Sequence, residues 1–301
     1  MKLLIIGIVA FLFSFSGNSQ FSTLLHRSDT LSKKRMHFVT TVSTVNWAVQ
    51  TGLSYSNWYK EYPKSSFHLF DDSKEWLQMD KAGHFYSANK LSYIYYQRYI
   101  WAGMEPKKAL IIGSLLGLGS LSTIEILDGF NSGWGFSLSD IAANTLGCLS
   151  YASQKLAWKD ERFLLKFSVH PTEYAAIRPN VLGSTALQSF LKDYNGQTYW
   201  VSFSPFSFMN NPKLPKWLCL SMGYSIDQKL VGNQDTYLDV STNTLYKAKR
   251  TFLFSMDIDF SKLPIKRHWL KTIVSQLNYL KIPFPTLIFS DGNWTGNGLY
   301  F

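Results

Sequence analysis

The hydrophobic period of this chain changes near Trp158, and that change restricts the fold more than any other feature. Before it, apolar residues recur at helical intervals; after it, they alternate. Leu218, Leu220, Met222, Tyr224 and Ile226 alternate with Cys219, Ser221, Gly223 and Ser225. Phe252, Phe254, Met256, Ile258 and Phe260 alternate with Leu253, Ser255, Asp257 and Asp259. A pattern written for one period cannot keep a single face buried in the other. The chain therefore reads as α+β. A bundle of about four apolar helices over residues 20–160 is followed by an antiparallel β-rich domain over residues 161–301.

The spacing predicts helices over residues 36–55, from Ser73 as cap to about 101, from Pro106 or Lys107 to 128, and over 138–158 with Ser137 or Ser139 as cap. Gly113, Gly117 and Gly119 offer small faces for close helix contact. Such a unit fits a position at or partly within a membrane, and also fits a soluble bundle. In the second half, strands are expected over 163–169, 174–182, 199–203, 218–226, 237–246, 252–260, 285–290 and 296–301. That number allows an outer-membrane-type barrel, and the aromatic end of the chain resembles the terminal strand of such proteins. One face of each long strand is large and apolar, the other small or polar; a half-buried soluble sheet and a lipid-facing sheet both read this way. Residues 263–281 read as an amphipathic helix, with Ile265, Trp269, Ile273, Leu277 and Leu280 opposite Lys266, Arg267 and Lys271. Residues 192–197, containing Asn195-Gly196, read as a tight turn of a hairpin and carry no assigned chemistry.

The start of the chain has the layout of a secretory signal peptide over residues 1–19: Lys2, an apolar run, then small polar residues. No Cys ends that run, so attachment of a lipid there is not expected. The expected location is the outer membrane or the periplasm, membrane-associated. Composition agrees, with 46% hydrophobic and 16% aromatic residues against 17% charged, and a net charge of +10. The positive charge is dispersed, its longest run being Lys33-Lys34-Arg35. That excludes a nucleic-acid patch and suits membrane lipid or outer-membrane proteins as partners. The two cysteines, Cys148 and Cys219, are expected as free, buried thiols. No phosphate loop or dinucleotide glycine pattern is present.

The rare ionisable residues of the helical half are the candidates for chemistry. Asp80 and His84 are spaced i, i+4 with Lys81 between them; Glu125 and Asp128 are spaced i, i+3; Asp140 and Asn144 are again i, i+4. A charge in an apolar helix is costly unless it is paired, neutralised or hydrated. Glu125 and Asp128 stand at a helix C-terminus, where the dipole disfavours negative charge, so they need Lys81, a protonated His84 or a cation. Asp140 in the first turn of its helix is favoured by the same dipole. One pocket holding all of these offers two kinds of chemistry. Asp128, Asp140, Glu125 and His84 are candidate ligands of a divalent cation, the one cofactor expected. Alternatively His84, with Asp80 and Glu125, is a candidate catalytic acid/base group.

Three motifs in order, Asp80-Lys81-x-x-His84, Glu125-x-x-Asp128-Gly129 and Phe136-Ser137-x-x-Asp140-x-x-x-Asn144-x-x-Gly147, resemble the family of predicted periplasmic lipoproteins typified by YfiM. More distantly they are similar to VanZ-like membrane proteins. The resemblance covers about residues 74–158 and implies a cell-envelope location and a small helical bundle, with no established reaction. The chain departs from it in lacking the lipoprotein Cys and in its long C-terminal half. The expected function is a cell-envelope protein whose polar cluster is structural or binds a ligand or cation. The alternatives are a hydrolase or transferase acting on lipid or glycan headgroups at the membrane surface, and an accessory subunit of an outer-membrane assembly.

Overall fold

In the computed structural model, which describes residues 26–59 and 62–300, a helical unit precedes an antiparallel sheet. The signal-peptide reading and the terminal Phe301 lie outside the described residues. Four long helices form the first unit: α1 (Lys33–Ser54), α2 (Met79–Trp101), α3 (Pro106–Gly129) and α4 (Leu138–Trp158). Ser32 caps α1 and Ser137 caps α4, each accepting a backbone N–H of the first turn. Pro106 opens α3 at the position where a missing N–H costs nothing, with the Glu105 carboxylate capping Lys107 and Lys108. Among the described residues, α3 is the one helix long and apolar enough to cross a membrane.

Helix α2 lies at the centre, against both α3 and α4. Gly113 and Gly117 let α3 approach it so closely that a Cβ on Gly113 would meet the Tyr96 backbone at 2.7 Å. Gly147 does the same for α4, where a Cβ would meet the Phe85 carbonyl oxygen at 2.3 Å. Gly119 makes no such approach. Ser73 does not cap α2, contrary to the spacing. Residues Glu75–Gln78 form a tight turn in which Trp76, Leu77 and Gln78 all take left-handed backbone angles, and α2 begins only after it. Three non-glycine residues in that region hold a strain of roughly 1–3 kcal/mol each. The turn is fastened to the sheet, because the Leu77 carbonyl accepts from the Tyr224 hydroxyl and, at 3.1 Å, from Arg250.

The main sheet comprises β1 (Phe163–Val169), β2 (Gln197–Phe203), β3 (Leu218–Asp227), β6 (Lys249–Ile258), β7 (Phe284–Ser290) and β8 (Asn293–Tyr300), antiparallel throughout in that order. The hairpin of β4 (Thr236–Asp239) and β5 (Thr244–Lys247) stands apart, so residues 237–246 are two short strands rather than one. Residues 174–182 are a correction: they form two helical turns, Tyr174–Ile177 and Pro179–Leu182. Pro179 cannot donate to a ladder but fits the first position of a helix. The Asn195-Gly196 pair closes a single helical turn ahead of β2 instead of joining two strands. The amphipathic helix is shorter than expected: α5 (His268–Ser275) begins after Pro264 and passes into the turn Gln276–Tyr279.

The closed barrel is the main correction. The described sheet is open, with β1 and β8 at its edges. It nevertheless curls strongly. Lys166 of β1 and Asp257 of β6 lie three strands apart, about 14 Å along a flat sheet. Yet Lys166 Nζ reaches Asp257 Oδ2 at 2.9 Å across the concave side. The free edge of β1 is covered by the segment leading into β7: Leu280 bridges Phe167, and Lys281 N–H donates to the Phe167 carbonyl at 2.9 Å. That strap occupies the place where a closing strand would pair.

The sheet is inside out. Its concave face carries a row of Ser168, Thr198, Ser225, Thr251, Ser290 and Asn293, and a second of Leu164, Ser202, Ser221, Ser255, Thr286 and Asn297. Thr198 and Ser202 there are fully buried. Between the rows, Gly223 makes room for Trp200, whose ring a Cβ would meet at 2.7 Å. The apolar alternating residues lie on the convex face, where Phe167, Tyr199 and Tyr224 pack on the helical unit and Leu220, Met222, Phe252, Phe254 and Met256 are exposed. Both cysteines are free and buried.

Candidate functional site

Asp80 and His84 face one another across a turn of α2, Glu125 comes from the C-terminal end of α3, and Asp140 and Asn144 from the first turns of α4. The glycine-mediated helix contacts bring these side chains together. His84 Nε2 lies 3.6 Å from Glu125 Oε1, 3.8 Å from Asp80 Oδ1 and 3.8 Å from Asp140 Oδ1. On the other side of the ring, His84 Nδ1 is 3.1 Å from Asn144 Oδ1. An amide oxygen only accepts, so this contact places a proton on Nδ1 and turns Nε2 toward the carboxylates.

Lys81 sits on the opposite flank. Its ammonium lies 2.6 Å from Asp140 Oδ1, 2.7 Å from Asp72 Oδ2 and 3.0 Å from Asp80 Oδ2. Asp72 is held in turn by the Ser137 and Ser139 hydroxyls, which donate to its Oδ1 at 2.6 and 2.8 Å. The Tyr194 hydroxyl donates to Asp80 Oδ1 at 2.7 Å, so the sheet half of the chain supplies one wall.

Glu125 is the anomaly. It is 1% exposed, and neither carboxylate oxygen accepts a hydrogen bond among the described residues. Burial, with Asp140, Asp128 and Asp80 nearby, pushes it up to about 9. Burial pushes Asp128 up to about 6 even though Tyr59 hydrogen-bonds to it. Asp140 is raised by burial and by Asp80. Asp80 moves the other way: burial opposes its charge, but His84 and Lys81 beside it hold it ionised. Lys81, despite burial, is raised by Asp80 and Asp140 and keeps its proton. One lysine cannot balance these acids, and the deficit falls where Glu125, Asp140 and His84 Nε2 meet.

Asp80, His84 and Asp140 each offer a ligand atom within 4.8 Å of the others. Glu125 adjoins them through His84. Asp128 stands outside that compact group, with Tyr59 as its hydrogen-bond partner. The donor set fits a divalent cation. Carboxylate oxygens with one imidazole are the ligands that Mn²⁺ or Zn²⁺ accepts, and the imidazole is oriented through its other nitrogen as metal-bound histidines are. Lys81 uses Oδ2 of Asp80, which leaves Oδ1 facing His84.

Sequence reasoning missed Asp72, Tyr194, Tyr59 and Ser139 as members of this environment. The adjacent acids Asp71-Asp72 ahead of a helix were a usable signal for the first. Nothing local marks Tyr194, which reaches Asp80 only because the sheet docks on α2.

Residues 68–154 match the family model described as predicted periplasmic lipoprotein (DUF2279). No curated protein matches the chain. No solved structure matches it either. The matched segment contains Asp72, Asp80, Lys81, His84, Glu125, Asp128, Asp140 and Asn144, and it supports a cell-envelope, periplasmic location for a chain similar to that family over these residues.

Proposed function

We propose that this chain is a cell-envelope protein whose helical bundle holds a divalent cation, with His84 Nε2, Asp80 Oδ1 and Asp140 as ligands and Glu125 completing the set. The observation that carries this reading is the meeting of an imidazole nitrogen with three carboxylates, at 3.6–3.8 Å, where Glu125 has no hydrogen-bond donor among the described residues. A cation there would satisfy the buried oxygens that Lys81 does not reach. Asn144 positions the ring, and Lys81, shared among Asp72, Asp80 and Asp140, balances part of the acids' charge. Residues 20–160 would form the cation-binding domain, of the YfiM and VanZ-like kind by its motifs, and residues 161–301 a β-rich domain that closes one wall through Tyr194.

Calorimetric titration of the purified, chelator-treated protein with Mn²⁺ tests this. One cation per chain is expected, with His84→Ala and Asp140→Asn each weakening binding at least about tenfold, as loss of a ligand or its support does. Absence of saturable binding overturns it.

A second reading has its own observation. Asp80 is held ionised while Glu125, beside the same nitrogen of His84, is held protonated, and such a split separates a base from an acid. His84 would then act as acid/base on a lipid or glycan headgroup, with Asp80 and Glu125 orienting it. Mass spectrometry of envelope lipids and glycans incubated with the protein checks this. Turnover that His84→Ala abolishes while the fold is kept supports it, and no change in any headgroup removes it.

A further inference from the structure

We infer that the convex face of the sheet, continued onto α4, is a bilayer-contact face that enters one leaflet of an anionic membrane. Register carries the argument. Phe167, Tyr199, Tyr224, Phe252, Phe289 and Trp294 form one continuous cross-strand row, all aromatic. The next row is Leu165, Val201, Met222, Phe254, Leu287 and Gly296, and the third is Phe163, Phe203, Leu220 and Met256. Phe167, Tyr199 and Tyr224 pack on Tyr86, Leu77 and Met79 of the helical unit, and beyond them the face opens: Met222 is 51% exposed, Leu287 58% and Trp294 60%.

A sheet that buries Ser, Thr, Lys and Asp while exposing Leu, Met and Phe reverses the arrangement water imposes. It matches the arrangement lipid imposes, with aromatic side chains at the interface level and aliphatic ones deeper. Charge agrees with this orientation. Arg250, exposed and two residues beyond Phe252 on the same face, lies where anionic headgroups would sit, its guanidinium also held by the Leu77 carbonyl and the Tyr224 hydroxyl.

The apolar belt does not stop at the sheet. Leu165 and Val201 floor a groove of about 380 Å³ whose other wall is Ser153, Ala157 and Trp158 of α4. Phe85, Ser150 and Ser153 also line the neighbouring hollow of about 550 Å³, which is flanked by Leu146, Leu149 and Leu156. The three leucines are themselves exposed, so the middle row runs on into the helical unit. Depth decides between spanning and lying in the surface. Along β1 the outer rows are four residues apart, about 13 Å, close to one leaflet's ~15 Å of hydrocarbon and short of the ~25 Å band of a spanning barrel. This inference rests on the sheet and stands whether or not the helical pocket binds a cation.

The test uses the full chain bound to vesicles of phosphatidylethanolamine and phosphatidylglycerol. An environment-sensitive fluorophore is attached at Met222→Cys, Leu287→Cys or, as a control, Val240→Cys beside the small hairpin, where exposure is 84%. The native thiols, 4% and 1% exposed, stay out of the labelling. Acyl-chain-brominated lipid is expected to quench the labels at 222 and 287 and to leave the one at 240 unaffected. In flotation, Met222→Asp with Phe254→Asp is expected to lower vesicle partitioning about tenfold or more, from the cost of a polar group on a lipid face. Absence of quenching at 222 and 287 in vesicle-bound protein overturns the inference. So does protection of those two labels by a second copy, seen as a doubled particle mass in lipid-free detergent with no response to brominated lipid.

Discussion

The concave side of the sheet and the helical pocket both bury charge, and they do it differently. On the concave side of the sheet, Lys166 and Asp257 are fully buried and saturated. Lys166 Nζ meets Asp257 Oδ2 at 2.9 Å and donates to the Ile258 carbonyl at 2.7 Å. Asp257 also accepts from Ser202 at 2.7 Å and, through Oδ1, from the Ile258 N–H at 2.8 Å. In the helical pocket, Glu125 is equally buried and has no donor among the described residues, and His84 Nε2 points at acids. The first arrangement is complete within the chain and serves the fold. The second is complete only with something added, a proton or a cation. That contrast separates a structural ion pair from the proposed cation site better than burial does.

The contrast can be broken most forcefully at the sheet. Lys166→Met should cost about 3–5 kcal/mol by stranding Asp257, read as a lower denaturation midpoint, with the intrinsic Mn²⁺ affinity of the folded fraction unchanged. If the two regions were alike, Glu125→Gln would destabilise similarly. Instead it should raise the melting temperature of the cation-free protein at pH 8, by about 3 °C per kcal/mol of relieved repulsion, and weaken Mn²⁺ binding. The pH dependence follows. Glu125 rises from 4.5 to about 9 and Asp128 from 3.8 to about 6, with Asp140 shifted in the same direction. A carboxyl raised in the folded state contributes most while protonated, so its contribution is lost as pH climbs through the folded value. Thermal melts of the cation-free protein should therefore weaken steadily between about pH 4 and 9, by up to about 1.4 kcal/mol per pH unit per group. A saturating divalent cation should restore stability increasingly toward the alkaline end. The smallest expected effect is that of Tyr194→Phe, which removes one donor to Asp80 and should cost about 0.5–1.5 kcal/mol.

The sequence showed the helical pocket more readily than the sheet, for physical reasons. Asp80, His84, Glu125, Asp140 and Asn144 stand out because charge in an apolar helix demands a partner, and i, i+4 spacing puts each pair on one face. The period change at Trp158 was equally legible, because alternation is local. Which face of the sheet would be buried was not, since Met222 and Ser221 alternate identically in water-facing and lipid-facing sheets. Only the curl that joins Lys166 to Asp257 decides it. Barrel closure depended on the strap at Leu280–Lys281, a contact more than a hundred residues from its partner strand in sequence. Residues 174–182 and Tyr194 escaped for related reasons. Pro179 overrode an apolar run, and Tyr194 acquired its role from docking.

Everything proposed for the helical pocket turns on direct ligation of a cation by His84. Electron spin-echo modulation of Mn²⁺ bound to the full-length protein tests it at the atom concerned. Modulation from a directly coordinated imidazole nitrogen is expected, lost in His84→Ala and kept in Lys166→Met. A Mn²⁺ spectrum without nitrogen coupling, or no bound Mn²⁺, would contradict it.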